Sequence, residues 1–187
     1  SAVSIKPEGE FYTDNETIAE VIGMSEDELS DYIEENNIIY IGVNKDNSKQ
    51  IRVTSHQTDF SNNIININGL SDDKINALLP DIIGIESARG DIINIDGQKF
   101  IKTELRSNDS GGDYLLTEFI TIADRKVFVL SFYTNADQDT EYIEKTFESY
   151  SSPYFVKEKN NENNTLLYII VAAVVVFVAA SVLLVIT

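Results

Sequence analysis

Residues 92–105 read IINIDGQKFIKTEL and residues 114–133 read YLLTEFITIADRKVFVLSFY. In the first, two apolar-rich runs flank Asp96-Gly97, a pair that supplies the positive φ angles of a type I′ turn, so residues 92–95 and 98–105 form a β-hairpin. After the loop 108–112, residues 114–123 turn through Asp124-Arg125 into residues 127–133, a further hairpin. Phe128, Val129, Leu130, Phe132 and Tyr133 leave almost no polar alternation, which marks a central strand covered on both faces. A mainly antiparallel sheet with helices on both sides follows, and the fold class is α+β, a three-layer α/β/α sandwich.

Outward from this block, the other elements fall into place. Asp137 is placed to cap a last helix in which Ile143, Phe147 and Tyr150 share one face. Upstream, Ser25-Glu26-Asp27-Glu28 is a capping box, with Ser25 set to accept the Glu28 amide and Glu28 to reach back. Leu29, Tyr32 and Ile33 then repeat at helical spacing, so a helix runs to about Glu35. Ile18, Val21 and Ile22 mark a shorter helix ending near Gly23. Residues 38–43 and 51–55 read as two strands of a hairpin across the polar turn 44–48. Ser71, Asp72 and Asp73 open another helix, their acids favoured at its positive end, and Pro80 closes or kinks it.

The order of these segments carries a resemblance. Ile22-Gly23-Met24-Ser25-Glu26-Asp27-Glu28-Leu29, the strand Ile38-Ile39-Tyr40-Ile41-Gly42-Val43, the hairpin run 96–102 and the run 121–135 before the last helix resemble the Mog1/PsbP-like α/β/α sandwich. More narrowly, the chain is similar to surface proteins of Gram-positive anaerobes that carry a signal peptide, one such domain and a C-terminal membrane helix. The resemblance covers about residues 11–150. It implies a fold and a membrane topology, and it brings no catalytic signature.

Residues 166–186 are an unbroken apolar run without a charged residue. At about 1.5 Å per residue the run matches the roughly 30 Å hydrocarbon layer of a bilayer, so it reads as one transmembrane helix. Leu167, Ile170, Val174, Phe177, Val182 and Leu184 distribute around the whole circumference, unlike a core helix with one polar side. The expected organisation is a soluble head over residues 1–150, a polar stalk over 151–164 and the membrane helix over 165–187. Lys157, Glu158, Lys159 and Glu162 balance one another before the span, so charge gives no orientation. Three topologies remain, in this order: a head outside the cell after signal-peptide removal, a tail-anchored cytosolic head, and a GPI signal with Ser151 or Ser152 near the attachment site. The first predicts a leader upstream of Ser1 and a basic cluster beyond Thr187.

The chain of 187 residues carries 31 Asp and Glu against 14 Lys and Arg, a formal charge of -17. All of those charges precede the apolar run. Such a head is repelled by phosphate backbones and anionic lipid, which argues against nucleic-acid binding. The chain has no cysteine, so disulfides, thiolate nucleophiles and Cys-ligated zinc are excluded. That absence leans toward a bacterial surface or a reducing compartment.

The inventory for chemistry is thin. His56 is the single histidine, beside a strand end and without a nucleophile elbow or other triad motif, and reads as a surface residue. Asp137, Asp139, Glu141 and Glu144 alternate like oxygen ligands but lack the glycine and terminal bidentate Glu of an EF-hand. Acids at a helix start need no metal. Residues 108–113 could cradle a cation or phosphate, yet a Gly-Gly loop between strands needs no such ligand. Tyr12, Tyr32, Tyr40, Tyr114, Tyr133, Tyr142, Tyr150 and Tyr154 are suited to interfaces, and most are expected at the core edge. Sequons begin at Asn15, Asn108 and Asn163 and matter only on a eukaryotic secretory route. No catalytic, cofactor-binding or metal residue is assigned and no cofactor is expected. The expectation is a non-enzymatic binding or scaffolding module at the membrane, whose partner is another envelope protein. An accessory subunit of a membrane complex is the alternative, and a hydrolase with an unrecognised site comes last.

Overall fold

A computed structural model of the chain describes residues 3–83, 90–109, 112–135 and 138–155. The expected membrane run, stalk residues 156–164, Asp137 and the glycine-loop residues 110 and 111 lie outside these. Among the described residues no helix is long and apolar enough to cross a membrane.

The order is α1 (Asn15–Ile22), α2 (Glu26–Glu35), β1 (Ile38–Val43), β2 (Lys49–His56), two single 3₁₀ turns (Ser61–Asn63 and Ile67–Gly69), α3 (Asp72–Ile83), β3 (Asp91–Ile95), β4 (Gln98–Asp109), β5 (Gly112–Ala123), β6 (Lys126–Asn135) and α4 (Glu141–Glu148). The chain is therefore α+β. Its six strands form one sheet in the order β1-β2-β6-β5-β4-β3, and every neighbouring pair is antiparallel. The hairpin block read from residues 92–133 supplies four of the six strands. β6 lies at the centre, between β2 and β5, as its unbroken apolar run requires.

Successive side chains of a strand point to opposite faces, so β6 feeds two cores at once. Phe128, Leu130 and Phe132 join Ile51, Val53, Phe100 and Phe119 beneath Ile143 and Phe147 of α4. On the opposite face Val127 joins Ile101, Ile120 and Ile122 beneath Ile75 and Leu79 of α3. A third cluster sets Ile18, Ala19 and Leu29 of α1 and α2 on Ile38, Ile41 and Val43 of β1. α4 thus packs on one face of the sheet and the other three helices on the other.

Local chemistry explains the ends of the elements. The capping box is formed, with the Glu28 amide donating to Ser25 Oγ at 3.3 Å and the Ser25 amide donating to the Glu28 carboxylate at 2.8 Å. α1 stops at Gly23, whose φ of 77° is left-handed and costs glycine little. At the β3–β4 turn Asp96 and Gly97 have φ of 51° and 84°, the type I′ signature that their sequence predicts.

Four local expectations change. Pro80 does not close α3: the helix continues through it to Ile83, Pro80 being borne inside the helix. The loop expected at residues 108–112 is shorter, because β4 runs to Asp109 and β5 starts at Gly112, with Asn108 paired to Asp113. α4 begins only at Glu141, with Thr140 at the N-cap and the Asp139 carboxylate accepting from the Glu141 amide at 2.9 Å. Finally, the chain stays on the head past Tyr150. Ser151 and Ser4 exchange backbone hydrogen bonds of 2.8 and 2.9 Å, and the Phe155 ring lies 5.2–5.6 Å from those of Phe100, Phe128 and Tyr150. Residues 151–155, read from sequence as the start of a stalk, are held by ring packing that a polar composition hides.

Candidate functional site

β1 is an edge strand, flanked on its outer side by the segment that leads into α1. The chain before α1 bridges it at one residue: Tyr12 N–H donates to Val43 O at 2.8 Å and Val43 N–H donates to Tyr12 O at 3.1 Å. In an antiparallel pair, residues alternate between bonding toward and away from the partner strand. Val43 bonds away from β2, so Ile41, two residues back, also directs its N–H and C=O away from β2, to the side along which residues 13–15 continue from Tyr12 into α1; Ile41 is buried there.

Beside that edge lies a cavity of about 250 Å³ lined by residues 38–41 of β1, Ile33 of α2, Thr13 and Asn15. A bulge shapes it. The β1–β2 register shifts between Ile38 and Tyr40, and the extra residue, Ile39, is left on the rim with 39% of its surface exposed. Tyr40 turns to the opposite face, where its ring lies over Gly42. A Cβ at Gly42 would stand 3.2 Å from Tyr40 Oη and 3.7 Å from Phe11 Cβ, so the missing side chain makes room for both residues. The Tyr40 hydroxyl is buried without a hydrogen-bond partner, and burial pushes its pKa up to about 12, so it stays neutral.

The surroundings of this edge are strongly acidic. Residues 7–44, which contain α1, α2, β1 and the bridging segment, hold eleven Asp and Glu and no Lys or Arg. Most of the net charge of the chain therefore belongs to this fifth of its length.

A second polar group sits on the α2 side of the sheet. Register aligns Arg52 of β2 with Ser131 of β6 and Glu118 of β5, and Gln50 with Tyr133. The Arg52 guanidinium lies 4.0 Å over the Tyr133 ring and donates to the Tyr32 hydroxyl and, at 3.2 Å, to Gln50 Oε1. Its Nε is buried without a partner. Ser131 Oγ donates to the Glu118 carboxylate at 3.0 Å. Burial raises the Glu118 carboxyl above its ordinary range, against the opposing pull of the Ser131 hydrogen bond and the Arg52 charge. Because Tyr32 belongs to α2 and the rest to the sheet, the group fastens α2 to β2 and β6. A charged residue in the middle of an apolar strand was its one signal in the sequence; its partners come from three strands and a helix, which no local pattern reveals.

The residues weighed from sequence are scattered. His56 ends β2 opposite Val127. Of the acids near α4, Asp139 binds a backbone amide, Glu141 pairs with Lys145 at 3.1 Å and Glu144 with Lys102 at 2.7 Å. Among the described residues no group of three or more His, Asp or Glu converges as a metal site. The tyrosines divide: Tyr142 and Tyr150 are buried, Tyr32, Tyr40 and Tyr133 are half-buried, and Tyr12 and Tyr154 are exposed. The β1 cleft itself went unseen in the sequence, because nothing in residues 38–43 tells an edge strand from an inner one.

No family model and no curated protein matches the chain. Among solved structures it is similar to a protein of Bacteroides thetaiotaomicron, with a TM-score of 0.45 and 11% identity. That match covers 84% of this chain, which spans 43% of the length of the Bacteroides protein.

Proposed function

We propose that this chain is a membrane-anchored, non-enzymatic binding module whose head is a Mog1/PsbP-like α/β/α sandwich displayed outside the cytoplasm, where it engages another envelope protein. The observation that carries this reading is the uncharged run 166–186, twenty-one residues that at about 1.5 Å each reach about 31 Å, the thickness of the hydrocarbon layer. Helices on both faces of one antiparallel sheet support the sandwich assignment. The acidic head supports a partner reached through solvent and not a phosphate or lipid surface. The cavity beside β1 offers a place to bind.

The test is fractionation of cells expressing the full chain from its gene. The protein is expected to stay in the membrane pellet through alkaline carbonate washing, to enter solution in detergent, and to become soluble when residues 166–186 are deleted. Release of the full chain by carbonate overturns the anchor. Protease added to intact cells is expected to remove the head, and protection there with digestion after lysis overturns the extracytoplasmic placement.

A further inference from the structure

We propose that the outer edge of β3 is a homodimer interface, where a second copy of this chain pairs antiparallel about a two-fold axis at Ile93 and joins the two sheets into one. This goes beyond the reading of the chain as a binding module and holds whichever protein the head engages.

β3 is the other edge of the sheet, and its outer side is set for a strand. The Lys99 N–H donates to Asn68 Oδ1 at 2.8 Å and the Lys99 C=O accepts from Thr121 Oγ1 at 2.7 Å, so Lys99 bonds away from β3. Asn94, its opposite number in the ladder, therefore bonds away from β4, and so does Ile92 two residues back. Among the described residues no backbone group bonds to that outer side. Edges are ordinarily blunted by Lys, Pro, a bulge or a covering element. β3 reads Asp-Ile-Ile-Asn-Ile with an unbroken register to β4, and Ile92, Ile93 and Ile95 are only half-buried.

Symmetry fits this strand to itself. The two outward-bonding residues stand on either side of Ile93, the middle residue of Asp91–Ile95. A two-fold axis there sets Ile92 opposite Asn94 of the second copy and Asn94 opposite its Ile92, and each pair exchanges two backbone hydrogen bonds. The two Ile93 side chains then meet on the α4 face, where each already packs against the aromatic core. The same axis, normal to the sheet, leaves Phe155 of both copies on one side, as two chains anchored in one membrane require.

Charge selects a second copy over a basic partner. Residues 90–102, which form β3, its turn and the facing part of β4, hold two Asp and two Lys, so this edge is neutral. The eleven acids of residues 7–44 lie around β1, at the far end of the six-strand order. At about 4.8 Å per strand that is about 24 Å away, well beyond the roughly 8 Å screening length at physiological salt. Pairing through β3 sets the two acidic ends at opposite extremes of the joined sheet, where their repulsion is screened. A basic partner finds no excess of acid at β3 to draw it.

The experiment is sedimentation equilibrium of the full chain in density-matched neutral detergent, across protein-to-detergent ratios, with the unsubstituted chain expected to be a dimer. Asn94→Pro removes an N–H that makes no ladder bond within the head, and is expected to weaken dimerisation at least about tenfold. Near-ultraviolet circular dichroism checks that this variant stays folded, since Asn94 Oδ1 also accepts from the Gly97 N–H. Because the chain has no cysteine, a single introduced one can cross-link only between copies. Facing Ile93 Cα atoms about 4.5 Å apart lie within disulfide reach, so Ile93→Cys is expected to form a covalent dimer on mild oxidation. Asn94→Cys places the two Cα atoms about 8 Å apart and is expected to stay uncross-linked. A monomeric unsubstituted chain overturns the proposal. So does a dimer whose affinity Asn94→Pro leaves unchanged, which assigns the association to another surface such as the run 166–186. Equal cross-linking of the two cysteine variants overturns the two-fold register at Ile93. The cysteine comparison stands if Asn94→Pro impairs folding.

Discussion

Phe147→Ala is the sharpest probe of how α4 is held on the sheet. Phe147 is 1% exposed, stacks on Phe119 with centroids 3.7 Å apart and planes 12° apart, and meets Phe100 edge-on at 5.0 Å. Removing its ring forfeits about 2–3 kcal/mol of apolar burial and about 0.5–1.5 kcal/mol for each aromatic pair. The total, about 4 kcal/mol, agrees with the roughly 3–5 kcal/mol that buried Phe to Ala changes cost in other cores. For a domain of about 150 residues, each kcal/mol lowers the melting temperature by about 2–4 °C, so a drop of about 8–16 °C is expected. The measurement is urea and thermal unfolding of the full chain in detergent, followed by near-ultraviolet circular dichroism. A double-mutant cycle with Phe119→Ala is expected to show a coupling of about 0.5–1.5 kcal/mol from the stacked pair. A loss below about 1 kcal/mol for Phe147→Ala, or strict additivity with Phe119→Ala, would refute this account of the α4 interface.

Other substitutions test separate parts of the structure. Burial raises the Glu118 carboxyl above its unfolded-state value, so the folded protein holds that proton more tightly than the unfolded one, and stability is lost as pH rises from the unfolded carboxylate range through the folded value. Glu118→Gln should therefore match the native protein in urea unfolding at about pH 4 and exceed it at about pH 8, and the opposite order would show that the Arg52 attraction outweighs burial. Arg125 holds a φ of 60° in the β5–β6 turn, where a side chain is strained, so Arg125→Gly should stabilise the head by about 0.5 kcal/mol; destabilisation in the same assay would contradict this. Ser25→Ala removes the cap of α2 and should cost about 1 kcal/mol, read as a lower urea midpoint with unchanged slope.

Much of the strand framework was legible because its signals are local. Asp96-Gly97 forces a turn whatever surrounds it, and the unbroken apolar run of β6 has a stable place only between two neighbours with both faces covered. The capping box of α2 needs only Ser25 and Glu28, three residues apart. Pro80 misled because its constraint is also local: the missing amide is a penalty that packing of Ile75 and Leu79 against the sheet outweighs, and tertiary burial is silent in the sequence. The chain past Tyr150 misled for the same reason, since Ser151 and Phe155 are held by Ser4 and by rings from β4 and β6.

By itself the sequence determined the antiparallel hairpins, the starts of α2 and α3, the acidity and the uncharged run 166–186, because turn angles, side-chain period and charge belong to residues near one another in the chain. Only the tertiary structure decided that β1 lies at the edge, that Tyr12 pairs with Val43, and that Arg52, Tyr133, Ser131 and Glu118 stand together. Those facts depend on which strands become neighbours. Neighbourhood is set by the summed burial of both faces of the sheet, a property of the whole head that no short stretch of sequence contains.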